Sequence, residues 1–387
     1  MSISMIITVL DWILFILSAI SVLYLSIFSF ASLFFKNEIQ STFSSDYKRI
    51  LIMIPAYKED KVIFDSVNSL LKQDYPKSFY DIVVISDRMQ LSTIVSLKSL
   101  DLSLLEVNFQ NSSKAKALNF AFDNINQEYD FVIILDADNT VNYDFLKEMC
   151  IAYSSGYKAI QAHRTAKNNN TDTAVLDAIS EEINNSIFRK GHVALGLPSA
   201  LIGSGMAIDF KWMSANISKL VTAGEDKELE ALLLKDKTFI TYLDNVLVYD
   251  EKTQKKGGFY NQRRRWIAAQ FDILRKALSY LPDAISSFNV AFLDKIFQWM
   301  LLPRILLVGI VFIISLCWTI VQPYCSFKWW SLFLFLIIAL VVSVPRYMFN
   351  KKLVKSLKNI PVLFLLMGLN LFRIRGVGDK FIHTNKG

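Results

Sequence analysis

Long apolar runs lie towards the two ends of the chain, and a mixed polar stretch fills its middle. An uncharged run of 24 residues covers Trp12–Phe35, and further apolar runs cover Ile305–Val321, Trp329–Val344 and Ile360–Phe372. About 20 apolar residues in an α-helix are enough to cross the hydrocarbon core of a bilayer. The first three runs are therefore predicted to span a membrane. The fourth is shorter and could span with a tilt, lie at the interface or re-enter.

The first run is predicted to be a retained anchor, because no basic segment or small-residue cleavage site accompanies it. Lys36, Lys48 and Arg49 follow this run, and a basic stretch from Arg346 to Lys358 follows the third. Because Lys and Arg concentrate on the cytosolic side of membrane proteins, the polar middle is predicted to be cytosolic. Residues 322–328 are then expected on the opposite side. Basic residues after the fourth run favour an interfacial or re-entrant placement for it.

Within the polar middle, short apolar runs alternate with segments of helical spacing. Strands are predicted at Ile50–Ile54, Asp81–Ser86, Leu104–Phe109, Phe131–Leu135 and Phe239–Val248, and helices at Asp60–Lys72, Lys114–Ile125, Asp172–Lys190 and Glu225–Lys235. This alternation predicts an α/β fold with a mainly parallel sheet. The predicted domains are an anchor over 1–44, a cytosolic α/β domain over 45–283, and residues 284–387. The last holds an interfacial helix, a membrane hairpin and the short fourth apolar segment.

The formal net charge of +7 does not indicate nucleic-acid binding, because the basic residues form no long tract and many of them border apolar runs. The three cysteines, Cys150, Cys317 and Cys325, lack paired spacing. The sequence therefore predicts neither a disulfide framework nor a zinc site.

Acidic residues follow the ends of three predicted strands. Glu59 follows the first, Asp87 the second, and Asp136 and Asp138 the fourth. Ligands of open parallel sheets bind beyond the carboxyl ends of the strands, and carboxylates two residues apart on extended chain share a side. Such a pair suits Mg²⁺ or Mn²⁺ together with diphosphate oxygens. Aspartate pairs also cap helices and occupy turns, but the buried strand and Asp87 favour the metal site.

Two further motifs each allow a structural and a functional interpretation. Glu225 and Asp226 open a predicted helix, where acids are common as caps, yet one of them could act as a general base towards a sugar hydroxyl. Residues 262–266 read QRRRW. They suit a basic interfacial helix, or a site in which Arg265 binds a diphosphate and Trp266 stacks on a sugar.

In their order along the chain, these segments resemble family 2 glycosyltransferases, and among them the membrane-embedded synthases of hyaluronan, chitin, cellulose and poly-N-acetylglucosamine. The matching segments are Ile54–Glu59, Asp87, Lys114 with Ala117-Leu118-Asn119, Asp136-Ala137-Asp138, Gln161 with Arg164, Ile202-Gly203-Ser204-Gly205, Glu225-Asp226 and Gln262 with Arg265-Trp266. They cover about residues 50–270. The resemblance implies a GT-A fold, inversion at the anomeric carbon, UDP as leaving group, and Mg²⁺ or Mn²⁺ as cofactor.

The resemblance also implies a role for each matching residue. Asp226 would be the catalytic base, and Asp138 with Asp136 would hold the metal. The residues implied for donor binding are Glu59, Asp87, Lys114, Asp136, Gln262 and Arg265, and those implied for acceptor binding are Gly203, Ser204, Gly205, Glu225 and Trp266. Ser204 stands where the family usually has Thr, and Gly224 where a Thr often precedes the acidic pair, which leaves the acceptor open.

The expected function is that of a processive polysaccharide synthase in a bacterial inner membrane, with its catalytic domain in the cytosol. The alternative is a transferase that adds one sugar to a lipid-linked or glycan acceptor. A non-catalytic scaffold is disfavoured because all the carboxylates occur together with the QxxRW motif. The expected partners are a UDP-sugar, a glycan or lipid-linked acceptor and the bilayer, without nucleic acid. The donor sugar, the linkage, the metal preference and association with further copies or export proteins stay open.

Overall fold

The structure, a computed structural model, describes residues 3–36, 46–222, 224–254 and 256–373. Within these residues, the eight strands are Ile50–Tyr57 (β1), Tyr80–Asp87 (β2), Ser103–Val107 (β3), Phe131–Ile134 (β4), Thr140–Val141 (β5), Ala159–Ala166 (β6), Met206–Asp209 (β7) and Ile240–Asp250 (β8). The helices are Ile3–Ala31 (α1), Ile63–Leu71 (α2), Leu91–Lys98 (α3), Lys114–Asp123 (α4), Phe145–Ser154 (α5), Asp172–Asn185 (α6), His192–Ala194 (α7), Phe210–Asn216 (α8), Glu225–Lys235 (α9), Lys256–Leu278 (α10), Leu281–Ser286 (α11), Val290–Met300 (α12), Arg304–Val321 (α13), Pro323–Val342 (α14), Lys351–Leu357 (α15) and Ile360–Phe372 (α16).

The strands form one mixed sheet in the order β3-β2-β1-β4-β7-β6-β8-β5. β1, β2, β3 and β4 run parallel to one another, and β6 runs parallel to β8. The antiparallel strands are β7, between β4 and β6, and β5, which pairs with β8 at the edge. The predicted α/β class and mainly parallel sheet are therefore confirmed.

Several details differ from the sequence prediction, among them the following three. β1 does not end at Ile54 but continues through Pro55 to Tyr57. Pairing of β1 with β4 stops at Met53, so the missing N–H of Pro55 removes no bond between these strands. The helix predicted over Asp172–Lys190 ends as an α-helix at Asn185 and continues as a π-helical turn. Finally, β5, β6 and β7 were not predicted, because they are short or carry polar residues in place of an apolar run.

Each face of the sheet is covered by its own apolar core. Alternate residues of β1 separate the two cores, with Ile52 in one and Met53 in the other. Helices α2, α3 and α5 pack on the first face, and α4, α8, α9, α10 and α12 on the second. α12 contributes Phe292 and Trp299 to the second core. One side of this predicted interfacial helix therefore packs on the α/β domain, and its place at the membrane stays a prediction.

Three helices of the described chain are long and apolar enough to cross a membrane: Ser4–Phe34, Arg304–Val321 and Pro323–Val342. α1 and α14 lie side by side and run in the same direction. At one end Asp11 pairs with Lys328 at 2.5 Å, and at the other Ser29 donates a hydrogen bond to the carbonyl of Ala339 at 2.6 Å. This direction agrees with the charge-based topology, in which both helices enter from the same side.

α15 and α16 form a pair bent by 54°. Near the start of α16, Asn359 donates a hydrogen bond to Asp172 at 3.0 Å, and near its end Asn370 donates one to the carbonyl of Tyr260 at 3.2 Å. Asp172 and Tyr260 belong to α6 and α10, so both ends of α16 contact the α/β domain. An interfacial or re-entrant α16 is compatible with these contacts, and its placement stays a prediction.

Candidate active site

One large cavity, of about 660 Å³, opens at the carboxyl ends of β1, β2 and β4. Glu59, Asp87, Asp136 and Asp138 all line it. Because the parallel strands end at one edge of the sheet, residues far apart in sequence meet there. The Oδ1 atom of Asp87 is buried and has no hydrogen-bond partner among the described residues. It therefore offers an acceptor to a ligand hydroxyl or N–H group.

Asp136, Asp138 and Asp250 form a carboxylate cluster, with one oxygen of each residue within 4.8 Å of the others. Asp138 and Asp250 are buried. Opposite ligands of a bound Mg²⁺ lie about 4.2 Å apart, twice the metal–oxygen distance. The three carboxylates therefore fit a divalent cation with oxygen ligands after a small contraction. Asp250 was not predicted, although it ends β8, only two residues beyond the predicted end of that strand.

Lys114, at the start of α4, connects this cluster with Gly203 and Glu225. Its Nζ lies 2.5 Å from Asp136 Oδ1 and from the carbonyl of Gly203, and 3.8 Å from Glu225. Burial opposes the charge of Lys114, but Asp136 and Glu225 outweigh it and raise its pKa above the ordinary value. Lys114 is thus held as a cation on the wall of the cavity.

Of the predicted acceptor loop, Gly203 lines the cavity, whereas Ser204 and Gly205 lie beneath it. A Cβ on Gly203 would lie 3.6–3.8 Å from the side chain of Asp226. The hydroxyl of Ser204 accepts a hydrogen bond from the Asp136 amide at 2.9 Å and donates one to Asn139. Gly205 has a φ of +64°, and a Cβ there would lie 2.8 Å from Val248. Ser204 therefore holds the Asp136 loop in place, and Gly205 packs closely against β8.

The two acids that open α9 differ in environment. Glu225 is buried, while Asp226 is half-buried and lines the cavity beside Gly203. Burial, together with the nearby charge of Asp226, raises the pKa of Glu225 to about 7, although Lys114 opposes this shift. Asp226 is therefore the more accessible carboxylate for a substrate hydroxyl. Gly224 cannot carry a side chain, because a Cβ would lie 2.7 Å from Ala269.

Helix α10 presents the QRRRW segment to the cavity in part. Gln262, Arg265 and Trp266 line the cavity as expected, and so does Arg263. Arg263 pairs with the buried Asp177, and its guanidinium lies 4.3 Å from the Trp266 ring centre. Arg264 instead donates a hydrogen bond to the carbonyl of Arg373. Burial lowers the pKa of Arg265, although Glu225 and Asp136 favour its charge.

A buried network of ion pairs contacts the carboxylate cluster at Asp250. Glu181 lies 2.9 Å from Arg164 and 3.3 Å from Lys252, which in turn pairs with Asp250 at 2.8 Å. Burial alone would raise the pKa of Glu181, but Arg164 and Lys252 lower it to about 2. The side chain of Gln161 braces the neighbouring loop by donating hydrogen bonds to the carbonyls of Ser204 and Gly205.

His163 on β6 should make stability depend on pH. Its Nε2 lies 3.0 Å from the carboxylate of Glu182, and its Nδ1 donates to the backbone carbonyl of Asp244 at 2.9 Å and lies 3.1 Å from the Asp244 carboxylate. Burial opposes its charge, but these two acids raise its pKa from 6.5 to about 9. This stabilisation is full below pH 6.5 and disappears as the pH rises towards 9, a loss of about 3 kcal/mol.

The expected result is a melting temperature in detergent that falls between pH 6.5 and 9 in the wild type. In His163→Gln, which cannot gain this charge, the fall should be smaller. Equal pH dependence of both proteins would contradict the assignment.

The fold and site together define a GT-A-like α/β domain with an aspartate cluster at the ends of β4 and β8. Residues 48–269 match the family described as glycosyltransferase like family 2. This match covers more than half of the chain, which therefore belongs to glycosyltransferase family 2.

Individual relatives are more distant. A segment of 101 residues is 29% identical to the poly(ribitol-phosphate) β-N-acetylglucosaminyltransferase TarS of Staphylococcus aureus. That segment is 25% of this chain and only 17% of TarS. The fold is similar to the crystal structure of TarS residues 1–349 with UDP-GlcNAc, at 16% identity, TM-score 0.45, and 85% and 90% of the two chains. It is also similar to the structure of the mannosyltransferase PcManGT of Pyrobaculum calidifontis with GDP-Man and Mn²⁺, at 16% identity and a TM-score of 0.47. That similarity covers 84% of this chain and 98% of PcManGT.

Proposed function

We propose that this chain is an inverting, metal-dependent transferase that moves a sugar from a UDP-sugar to a lipid-linked acceptor at a membrane. A single observation supports it: one cavity contains the carboxylates, Asp226 and Trp266 and also extends between the apolar helices. In that second part its walls are aliphatic side chains of α13, α14 and α16, namely Ile305, Val308, Ile337, Leu340, Leu363 and Met367. Such walls suit a hydrocarbon chain better than a hydrated polysaccharide.

The residues that line the cavity would have different roles. Asp136, Asp138 and Asp250 would hold Mg²⁺ or Mn²⁺, which would offset negative charge at the donor's diphosphate. Lys114 and Arg265 bring positive charge to the same end. Asp87 would accept a hydrogen bond from the uridine. Asp226 would take the proton of a sugar hydroxyl on the lipid-linked acceptor, whose oxygen attacks the anomeric carbon from the side opposite to UDP, displaces UDP and so inverts that carbon.

Trp266 is a suitable wall for the acceptor, because an aromatic ring offers an apolar face to a sugar or a hydrocarbon. Arg263 lies against this ring and ties it to Asp177. The aliphatic cavity reverses the preference drawn from the sequence, which favoured a processive synthase over addition of one sugar.

The product of the reaction tests this proposal. The full chain in nanodiscs is given a radiolabelled UDP-sugar, Mn²⁺ and a polyprenyl-phosphate-linked sugar, starting with UDP-N-acetylglucosamine. We expect label in a solvent-extractable lipid that carries one additional sugar. A labelled polymer that stays in the aqueous phase would contradict the lipid-linked acceptor and favour a processive polysaccharide synthase instead.

A further inference from the structure

Arg304, the first residue of α13, is a cationic side chain on the wall of the cavity. Its Nη2 donates to the carbonyl and hydroxyl of Ser180 at 3.0 and 3.2 Å, and both acceptors are neutral. Its Nη1 is buried and has no hydrogen-bond partner among the described residues. Arg304 also forms no ion pair within the described ranges. Arg304 is only partly exposed, and a buried N–H group of a cation is costly without an acceptor, so an anion bound beside it would relieve that cost.

The charges around Arg304 further favour the binding of an anion beside it. The positive charges of Arg263 and Arg189 are close enough to act on it, and Glu181 is its acidic neighbour. Glu181, however, already pairs with Arg164 and Lys252 and lies 3.8 Å from Arg189. Asp177 is likewise taken by Arg263. The acids of this region are therefore shared among more cations than they can neutralise.

A second buried donor at the cavity lacks an acceptor among the described residues. It is Nε of Arg263, a residue that is only 9% exposed. Both unpaired atoms are N–H donors of cations, and a phosphate offers several oxygens to such groups. Donors of this kind would bind a phosphate far better than an uncharged ligand.

The position of Arg304 indicates which phosphate would bind. The next residue, Ile305, and Val308 one turn further lie in the aliphatic wall of the cavity. The donor's diphosphate has other cations, since Lys114 and Arg265 lie by Asp136 and Glu225. A phosphate bound at Arg304 would instead lie beside the aliphatic part of the cavity. A hydrocarbon chain esterified to that phosphate could then occupy the aliphatic part.

We propose that Arg304, with Arg263, binds the phosphate of the lipid-linked acceptor. This inference rests on the proposed function, because it assumes that the lipid is the acceptor. Arg304 would anchor the lipid phosphate where the polar and aliphatic parts of the cavity meet. It is a binding residue, and its loss should weaken acceptor binding more than donor binding.

A binding measurement tests this without relying on turnover. The full chain in phosphatidylcholine nanodiscs is titrated with farnesyl phosphate and with farnesol, and tryptophan fluorescence is followed. We expect the wild type to bind the phosphate at least tenfold more tightly than the alcohol. Arg304→Gln should reduce this preference to less than threefold, and Arg304→Lys should restore part of it. An unchanged preference in Arg304→Gln would overturn the proposal.

Two further arms separate the alternatives. Phosphatidate that competes as well as farnesyl phosphate would assign the site to bilayer phospholipid and overturn the acceptor assignment. In the transfer reaction, Arg304→Gln should raise the KM for the polyprenyl-phosphate-linked sugar at least tenfold and change the KM for the UDP-sugar less than twofold. Arg264→Gln, a matched loss of charge outside the cavity, should change neither. A phosphate preference without any lipid transfer would retain the site but refute the proposed function.

Discussion

Asp226→Asn should lower the rate of sugar transfer by about 10²–10⁴-fold, the usual contribution of a positioned general base. Asparagine keeps the shape and a hydrogen-bonding oxygen, but it cannot accept the acceptor's proton. The side chain lies beside Gly203, on the wall of the cavity. Because the groups expected to hold UDP lie on other elements, the Kd for UDP should change little. Initial rates of UDP release, with UDP binding measured by calorimetry, check both expectations.

Asp236→Asn is the matched control for this experiment. Asp236 is an exposed carboxylate at the end of the same helix, where it accepts a hydrogen bond from Trp212. The control should keep nearly the wild-type rate. A normal rate in Asp226→Asn would show that another group takes the proton. A collapse of UDP binding in that variant would indicate a structural role.

Asp250→Asn should weaken the metal site without removing the fold of the loop. Loss of a second-shell partner typically costs 10–100-fold in metal affinity, so loss of a direct ligand should cost at least about tenfold. We expect a much higher Mn²⁺ concentration for half-maximal UDP release, with activity partly restored at high Mn²⁺. The amide oxygen introduced by this substitution could still accept the hydrogen bond that Asn139 donates to Asp250 at 3.2 Å in the wild type.

Glu251→Gln removes one charge from the adjacent residue and should leave the Mn²⁺ titration unchanged. Binding of Mn²⁺ followed by electron paramagnetic resonance gives a readout that does not depend on turnover. Equal Mn²⁺ affinity in Asp250→Asn and the wild type would exclude Asp250 as a ligand.

The sequence predicted the part of the site that lies on regular, apolar strands. β2 and β4 bury continuous apolar runs, and their ends could therefore be located together with Asp87 and Asp136. The motif order then connected these residues with Asp226 and Trp266. Polar β6 gave no such signal, because its residues Gln161, His163 and Arg164 are buried through hydrogen bonds and ion pairs that form only in the folded chain.

Arg304 shows another limit of prediction from sequence. At the start of an apolar run, an arginine is normally interpreted as a flanking charge in the headgroup region. Its contact with Ser180 joins residues that are 124 positions apart, and its unpaired nitrogen becomes evident only in the folded cavity. Asp250 was missed for a simpler reason: the alternating polar residues of β8 obscured the end of the strand, which is two residues later than predicted.

The central claim is that the carboxylates of this cavity use a UDP-sugar as donor. The most direct test is UDP release by the purified full chain, with a panel of UDP-sugars, a polyprenyl-phosphate-linked sugar and Mg²⁺ or Mn²⁺. We predict release from at least one UDP-sugar that stops with EDTA, returns with added metal and is nearly absent in Asp226→Asn. A folded wild-type protein that binds UDP and metal but releases no UDP from any donor would contradict the claim.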